Sequence, residues 1–232
     1  MIRLDKYLGE SGVFSRSEAT RAIRSGRIAI NGEVVRDTAA KVEETTAIVT
    51  VDGQTVRWTK YKYVMLNKPA DVVSTTDDSP KSVMKLFPPE FKRLGMFPCG
   101  RLDIDTVGLL LVTNDGPTAH ELLSPKHHRE KTYGFECLPL TMEMKKKLEE
   151  GVELSDFTSK PCTVQLDDAA HGRITVTEGK YHQIKRMFHA VGSEITFLER
   201  LTFAGLTLDK KLARGEWREL TEDEIKILLA KN

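Results

Sequence analysis

The chain has little of what marks several large protein classes. No apolar run in its 232 residues approaches the roughly 20 that a membrane-spanning helix needs. The start, MIRLDKYLGE, lacks the apolar h-region of a secretory signal. A cytoplasmic protein with no membrane partner is the expectation. Cysteine is scarce: Cys99, Cys137 and Cys162 are odd in number, far apart and without C-x-x-C spacing, which argues against both a disulfide framework and a thiolate zinc site. The six histidines add no metal signature, since the adjacent pair, His127 and His128, shows no ligand spacing to an acid or thiol. There is no glycine-rich phosphate loop, so no nucleotide cofactor is expected. Repeats, low-complexity tracts and heptad seams are missing too, which points to a monomer. Nor is there an excess of one charge: 35 basic and 34 acidic side chains leave +1, so a nucleic-acid partner cannot be argued from net charge.

What is present is a globular composition, 40% hydrophobic and 30% charged, long enough for two unequal domains. The charge is also unevenly spread. Residues 1 to 36 hold seven basic side chains (Arg3, Lys6, Arg16, Arg21, Arg24, Arg27, Arg36) against four acidic ones, a basic island on a near-neutral chain. Within it, Leu4 and Leu8 are spaced for a short helix that Gly12 can close. Ser15 and Glu18 then form a capping-box pattern for a second helix ending at Gly26. Asn31-Gly32 and Asp52-Gly53, each between alternating runs, predict two hairpins with type I′ turns. Arg21 and Arg24 share a helix face and Arg27 follows the cap. A row of guanidinium groups suits phosphate oxygens; a solvated helix face fits the same spacing.

A polar break at RWTKYK, residues 57 to 62, predicts a domain boundary. Beyond it, β-like runs (Tyr63 to Leu66, Leu109 to Val112, Thr132 to Cys137, Arg173 to Thr177) mix with helical runs such as PTAHELL and TMEMKKKLEEG. The irregular spacers predict an α+β domain with a mostly antiparallel sheet. EGKYHQIKRMFHAVG, residues 178 to 192, reads as an amphipathic helix. Ile184, Met187, Phe188 and Val191 form its apolar face, His182, Lys185, Arg186 and His189 its cationic face, and Gly192 its cap.

GRLDIDTVGLLLV, residues 100 to 112, sets one arginine and two aspartates directly before an apolar run. With a period of two, Leu102 and Ile104 fall on one side of an extended chain and Arg101, Asp103 and Asp105 on the other. A half-exposed strand edge fits. So does a reactive carboxylate, which needs a partly dry site and a cation within hydrogen-bonding reach. Asp103 or Asp105 would be the acid and the stripe at 182 to 189 its cationic partner. A glycosidase-like pair is also admitted by a Cα separation of about 6.5 to 7 Å, although no sugar-binding aromatic array accompanies it.

Two resemblances narrow these alternatives. RLDKYL followed by SRSEATRAIRSGRIAINGEVV resembles the S4 RNA-binding module over residues 1 to 45. That implies RNA contact by Arg16, Arg21, Arg24 and Arg27, with Arg3 and Lys6 in the same island. YVMLNKP, GRLDIDTVGLLLVTNDG, KTY and GKYHQIKRMF then occur in the order found in bacterial rRNA pseudouridine synthases. With ARGEWRELTEDEI at the end, the chain resembles the small-subunit (16S) branch of that family over essentially its full length. The resemblance implies an α+β protein: a small S4-like RNA-binding domain, 1–58, then a larger, mostly antiparallel-sheet catalytic domain, 59–232. It implies a cofactor-free isomerase that converts a uridine of 16S rRNA, or of a small-subunit assembly intermediate, to pseudouridine, with uridine 516 as the candidate. GRLD and the S4-like front are shared with the large-subunit branch, so a 23S rRNA substrate stays open, as does a non-catalytic RNA-binding or assembly role.

Matched position by position, the family's catalytic aspartate falls on Asp103, so Asp105 is not the nucleophile. Tyr133 matches the tyrosine that stacks on the target uracil, and Ile184 an aliphatic residue that touches the base, although the helical wheel assigns it to the core. Lys185 matches a basic position, often arginine, that pairs with the aspartate. Lysine offers no bidentate fork, so Arg186 is a candidate substitute. Arg101 would fill the place the base vacates or hold a flanking phosphate. In SPKHHREKTY, Arg129 and Lys131 beside Tyr133 suit single-stranded RNA, whereas Lys126 and the two histidines read as surface loop.

Overall fold

The computed structural model describes residues 1–230 except 125, 127 and 128. His127 and His128 therefore lie outside the described residues. The chain divides into two compact units, one of Met1–Lys62 with Pro88–Met96, the other of Tyr63–Phe87 with the residues from Phe97 onward. This division differs from the expected 1–58 and 59–232 by the stretch to Lys62 and by Pro88–Met96, which clusters with the first unit.

The first unit contains β1 (Ile2–Arg3), α1 (Leu4–Glu10), α2 (Arg16–Arg24), β2 (Ile28–Ile30), β3 (Glu33–Val34), β4 (Lys41–Val42), β5 (Val49–Val51), β6 (Gln54–Val56) and α3 (Pro89–Arg93). The capping box forms as the spacing predicts: the Ser15 hydroxyl accepts from the Glu18 amide, and the Glu18 carboxylate accepts from the Ser15 amide at 2.7 Å. Both predicted turns have positive φ at their two central residues, 51° and 88° at Asn31-Gly32 and 50° and 82° at Asp52-Gly53. That is the type I′ signature, whose twist matches the flanking strands. The strands make an antiparallel sheet in the order β3-β2-β5-β6, and β1 pairs with β4. Leu4, Tyr7 and Leu8 of α1 and Ala19, Ala22 and Ile23 of α2 bury against Ile28, Val42, Val49 and Val51.

The second unit contains β7 (Tyr63–Lys68), a 3₁₀ turn (Val83–Leu86), β8 (Phe97–Pro98), β9 (Val107–Thr113), α4 (Gly116–Leu123), β10 (Lys131–Cys137), α5 (Met142–Glu150), β11 (Thr163–Leu166) and β12 (His171–Val176). It continues with α6 (Gln183–Ala190), β13 (Ile195–Phe203), β14 (Leu206–Thr207), β15 (Trp217–Glu219) and α7 (Glu222–Leu229). The sheet runs β11-β12-β10-β13-β9-β7-β15, with β14 on β13 and β8 on β9. Every pairing is antiparallel except that of β9 with β13. Strands β7 and β9 are buried along their whole length, which explains apolar runs without alternation. β9 and β13 approach closely at Gly108, where φ is 100° and an added Cβ would stand 2.4 Å from the Arg200 carbonyl oxygen.

Two local readings are corrected. Residues 101–106 are irregular, and β9 begins only at Val107. Leu102 is buried but Ile104 is 42% exposed, so they do not share a buried side. The loop's backbone groups are bonded by Lys68, Asp71 and Ser74 rather than by a partner strand. Helix α6 starts at Gln183, later than the wheel assumed, because His182 adopts a left-handed conformation with φ 46° and ψ 32°.

Candidate active site

The loop that carries Asp103 is fixed by its backbone. Lys68, fully buried at the end of β7, donates through Nζ to the carbonyl oxygens of Pro69 (3.0 Å), Asp103 (3.1 Å), Ile104 (3.3 Å) and Thr106 (2.9 Å). Burial pulls its pKa down to about 8, against the favourable charges of Asp105 and Asp103. The Ser74 hydroxyl donates to the Leu102 carbonyl and accepts from the Leu102 amide at 3.1 Å, while the Asp71 amide reaches the Ile104 carbonyl at 2.9 Å. Asp103 thus sits on a loop whose carbonyl oxygens converge on one buried ammonium.

Its side chain faces a concavity of about 70 Å³ lined among others by Arg101, Thr106, Tyr133, Val176, Ile184 and Leu198. One carboxylate oxygen lies 3.6 Å from Lys185 Nζ and the other 3.6 Å from His182 Nε2. Lys185 is shared, because its ammonium also meets Asp105 at 2.5 Å. The two aspartates are unequal: the Asp103 side chain is 25% exposed and that of Asp105 66%. Burial works against ionising Asp105, but the hydrogen bond and charge of Lys185 outweigh it and hold the carboxyl below its ordinary range.

The other expected residues divide. Tyr133, on β10, is buried with its side chain at the pocket, and exposed Arg101 lines the same wall. Ile184 is 5% exposed and lines the pocket, so it belongs to both core and floor, and the conflict between the two readings disappears. Arg186 is corrected as a partner for Asp103: its guanidinium is bonded to Asp156 and to Ser155 Oγ and lies 5.3 Å from the Phe157 ring centre. Arg129 and Lys131 are corrected as RNA contacts, since both are buried. Arg129 donates to the Ala230 carbonyl, and Lys131 donates to the Arg129 carbonyl and stands 5.7 Å from the Phe203 ring centre. Burial, with Arg200 adding to it, brings the Lys131 pKa down to about 8.

Thr106, Val176, Gln183 and Leu198 line the pocket without having been singled out. Val176 and Leu198 come from β12 and β13, the strands flanking β10, and only the sheet order brings them beside Tyr133. The sequence offers His182 only as one member of the cationic stripe facing Asp103 or Asp105 and does not single it out as a site residue. Among the described residues no group of three or more histidine, cysteine or acidic side chains could hold a metal ion.

On the first unit the six candidate RNA contacts are all exposed. Arg3 is paired with Asp5 at 2.7 Å, Lys6 with Glu10 at 3.6 Å and Arg27 with Asp52. Arg16, Arg21 and Arg24 project from α2 with no ion pair among the described residues.

Comparison with known proteins bears on both units. Residues 62–190 match the RNA pseudouridylate synthase family and residues 2–48 the S4 domain. The chain is 39% identical to ribosomal small subunit pseudouridine synthase A of Escherichia coli K12, covering 97% of this chain and 98% of that one. It is 43% identical to YtzG, an uncharacterized RNA pseudouridine synthase of Bacillus subtilis, covering 98% of each. A solved pseudouridylate synthase structure superposes with a TM-score of 0.69 at 36% identity, covering 99% of this chain and all of that one.

Proposed function

Because the chain belongs to the RNA pseudouridylate synthase family and carries an S4 domain, we propose that it isomerises one uridine of 16S rRNA with Asp103 as the catalytic residue. Uridine 516 is the candidate target, in free rRNA or a small-subunit assembly intermediate, and the enzyme works as a cytoplasmic monomer. The observation that carries this reading is the convergence of Asp103, Tyr133, Ile184 and Lys185 on one concavity. The name and near-complete coverage of the Escherichia coli relative support the small-subunit target.

The reaction breaks the C1′–N1 glycosidic bond, turns the base over and rejoins it to C1′ through C5, with no net loss of atoms. The base must first leave its stack, which costs a few kcal/mol and favours loosely paired uridines. Stacking on Tyr133 returns about 1 to 3 kcal/mol of that cost, and Ile184, Val176 and Leu198 give the pocket an aliphatic wall for the base. The Asp103 carboxylate, 3.6 Å from the neighbouring ammonium of Lys185, acts on the extruded nucleoside. Arg101, exposed at the rim, takes a flanking phosphate or the vacated position in the RNA. Arg16, Arg21 and Arg24, exposed on α2 and without an ion pair among the described residues, grip the phosphates of a neighbouring RNA segment.

The test is tritium release from C5-labelled uridine in full-length 16S and 23S transcripts. Release from the 16S transcript, approaching one equivalent, is expected. Release from the 23S transcript alone moves the target to the large subunit, and release from neither overturns the reading.

A further inference from the structure

We propose that His182 is a positioning residue for Asp103, sharing with Lys185 the task that a single arginine fork would perform. The proposal rests on the reading of Asp103 as the catalytic residue. An ammonium is a compact donor and cannot fix the plane of a carboxylate as a guanidinium does. In this chain it is also divided, 2.5 Å from Asp105 and 3.6 Å from Asp103. Lys185 alone leaves one Asp103 oxygen without a cation. That oxygen faces His182 Nε2 at 3.6 Å. Arg186 cannot serve instead, because Asp156, Ser155 and Phe157 hold it elsewhere.

The conformation of His182 supports the same role. It occupies the N-cap position of α6, where a side chain ordinarily accepts from the first helical amides, yet its ring makes no such bond. Its backbone is left-handed, a state that a non-glycine residue adopts only against a steric cost between Cβ and the following carbonyl oxygen. This turn directs the imidazole to Asp103, and Tyr181 holds it there, the two rings stacked at 3.8 Å with planes 18° apart. The separation is 3.6 Å, and catalytic contacts are commonly long before substrate enters and tighten in the substrate complex. Asp103 is then gripped at both oxygens by two separate donors.

The experiment measures single-turnover tritium release and RNA affinity on the rRNA transcript that the wild-type enzyme modifies. His182→Gly keeps the left-handed backbone without strain and removes the ring. Its rate should fall at least about tenfold, as a small misplacement of a reacting group does, with RNA affinity unchanged. Adding Lys185→Arg should restore most of that loss, because the fork supplies both donors; a residue needed only for folding would not be rescued this way. Should the glycine variant fail to fold, His182→Asn and His182→Asp, both tolerant of this backbone, provide the comparison. The asparagine can donate to Asp103 and should stay active, whereas the aspartate repels it and should lose at least about tenfold. A glycine variant at the wild-type rate, a loss that Lys185→Arg leaves unrepaired, or equal rates for asparagine and aspartate would overturn the proposal. Asp103→Asn run alongside separates the two failures: if that variant is active, the reading of Asp103 falls as well.

Discussion

Asp103 and Asp105 stand one residue apart and differ in what surrounds them. Asp103 faces the pocket between Lys185 and His182, while Asp105 is largely exposed and bonded to Lys185 from outside. Asp105→Asn weakens a competitor for Lys185, so the rate of pseudouridine formation should stay within about threefold of wild type; a complete loss would make Asp105 the essential acid. The sequence put both carboxylates on one side of an extended chain, and resemblance alone separated them, because burial depends on strands far away in the chain. Lys131 and Arg129 misled for a related reason. A basic residue beside an aromatic one has the same local pattern whether it leads into solvent or, as here, into a buried strand. Their burial has a pH consequence. Lys68 and Lys131 have pKa values near 8 when folded and an ordinary lysine value of about 10.4 when unfolded. Between these values the unfolded chain binds more protons, so this contribution to stability rises with pH through the window. Urea unfolding at about pH 7.5 and 9.5 should show a gain that is smaller in Lys131→Met; an equal gain would place the Lys131 pKa elsewhere.

Among the elements, those coded by neighbouring residues were readable and those coded across the sheet were not. The hairpins at Asn31-Gly32 and Asp52-Gly53 and the capping box at Ser15 form as their spacing predicts, since each needs only a few adjacent residues. The GRLD segment carries an alternating pattern but forms a loop, because its carbonyl oxygens bond the Lys68 ammonium, roughly 35 residues back in the chain. Helix α6 was readable from its apolar face, though its first residue was not, since the left turn at His182 leaves no mark in a helical wheel. The parallel pairing of β9 with β13 depends on Gly108, where both a positive φ and the Arg200 carbonyl exclude a side chain. Gly108→Ala should lower unfolding free energy by roughly 2 to 4 kcal/mol or prevent folding. A midpoint unchanged in urea would show that β9 and β13 have room to separate.

For the whole molecule, the order of motifs along the chain gave the two-part organisation, and the strand order explains why motifs distant in sequence serve one pocket. Strands β10, β12 and β13 are neighbours in the sheet and deliver Tyr133, Val176 and Leu198 together. The grouping of Pro88–Met96 with the first unit was not readable, because that stretch interrupts the second unit with no change in composition. The near-zero net charge concealed a local concentration of positive charge: α2 carries three exposed arginines with no ion pair among the described residues. Replacing Arg16, Arg21 and Arg24 together by glutamine should weaken RNA binding and reduce the slope of log affinity against log salt by about 2, at roughly 0.7 per phosphate on single-stranded RNA. An unchanged slope would remove these side chains from the interface. The central claim, that the carboxylate of Asp103 performs the isomerisation, is tested most directly by single-turnover tritium release from C5-labelled 16S transcript at saturating Asp103→Asn enzyme. We expect release indistinguishable from background, with wild-type RNA affinity and wild-type unfolding. Release at a rate within tenfold of the wild-type enzyme, or of Asp105→Asn, would contradict it.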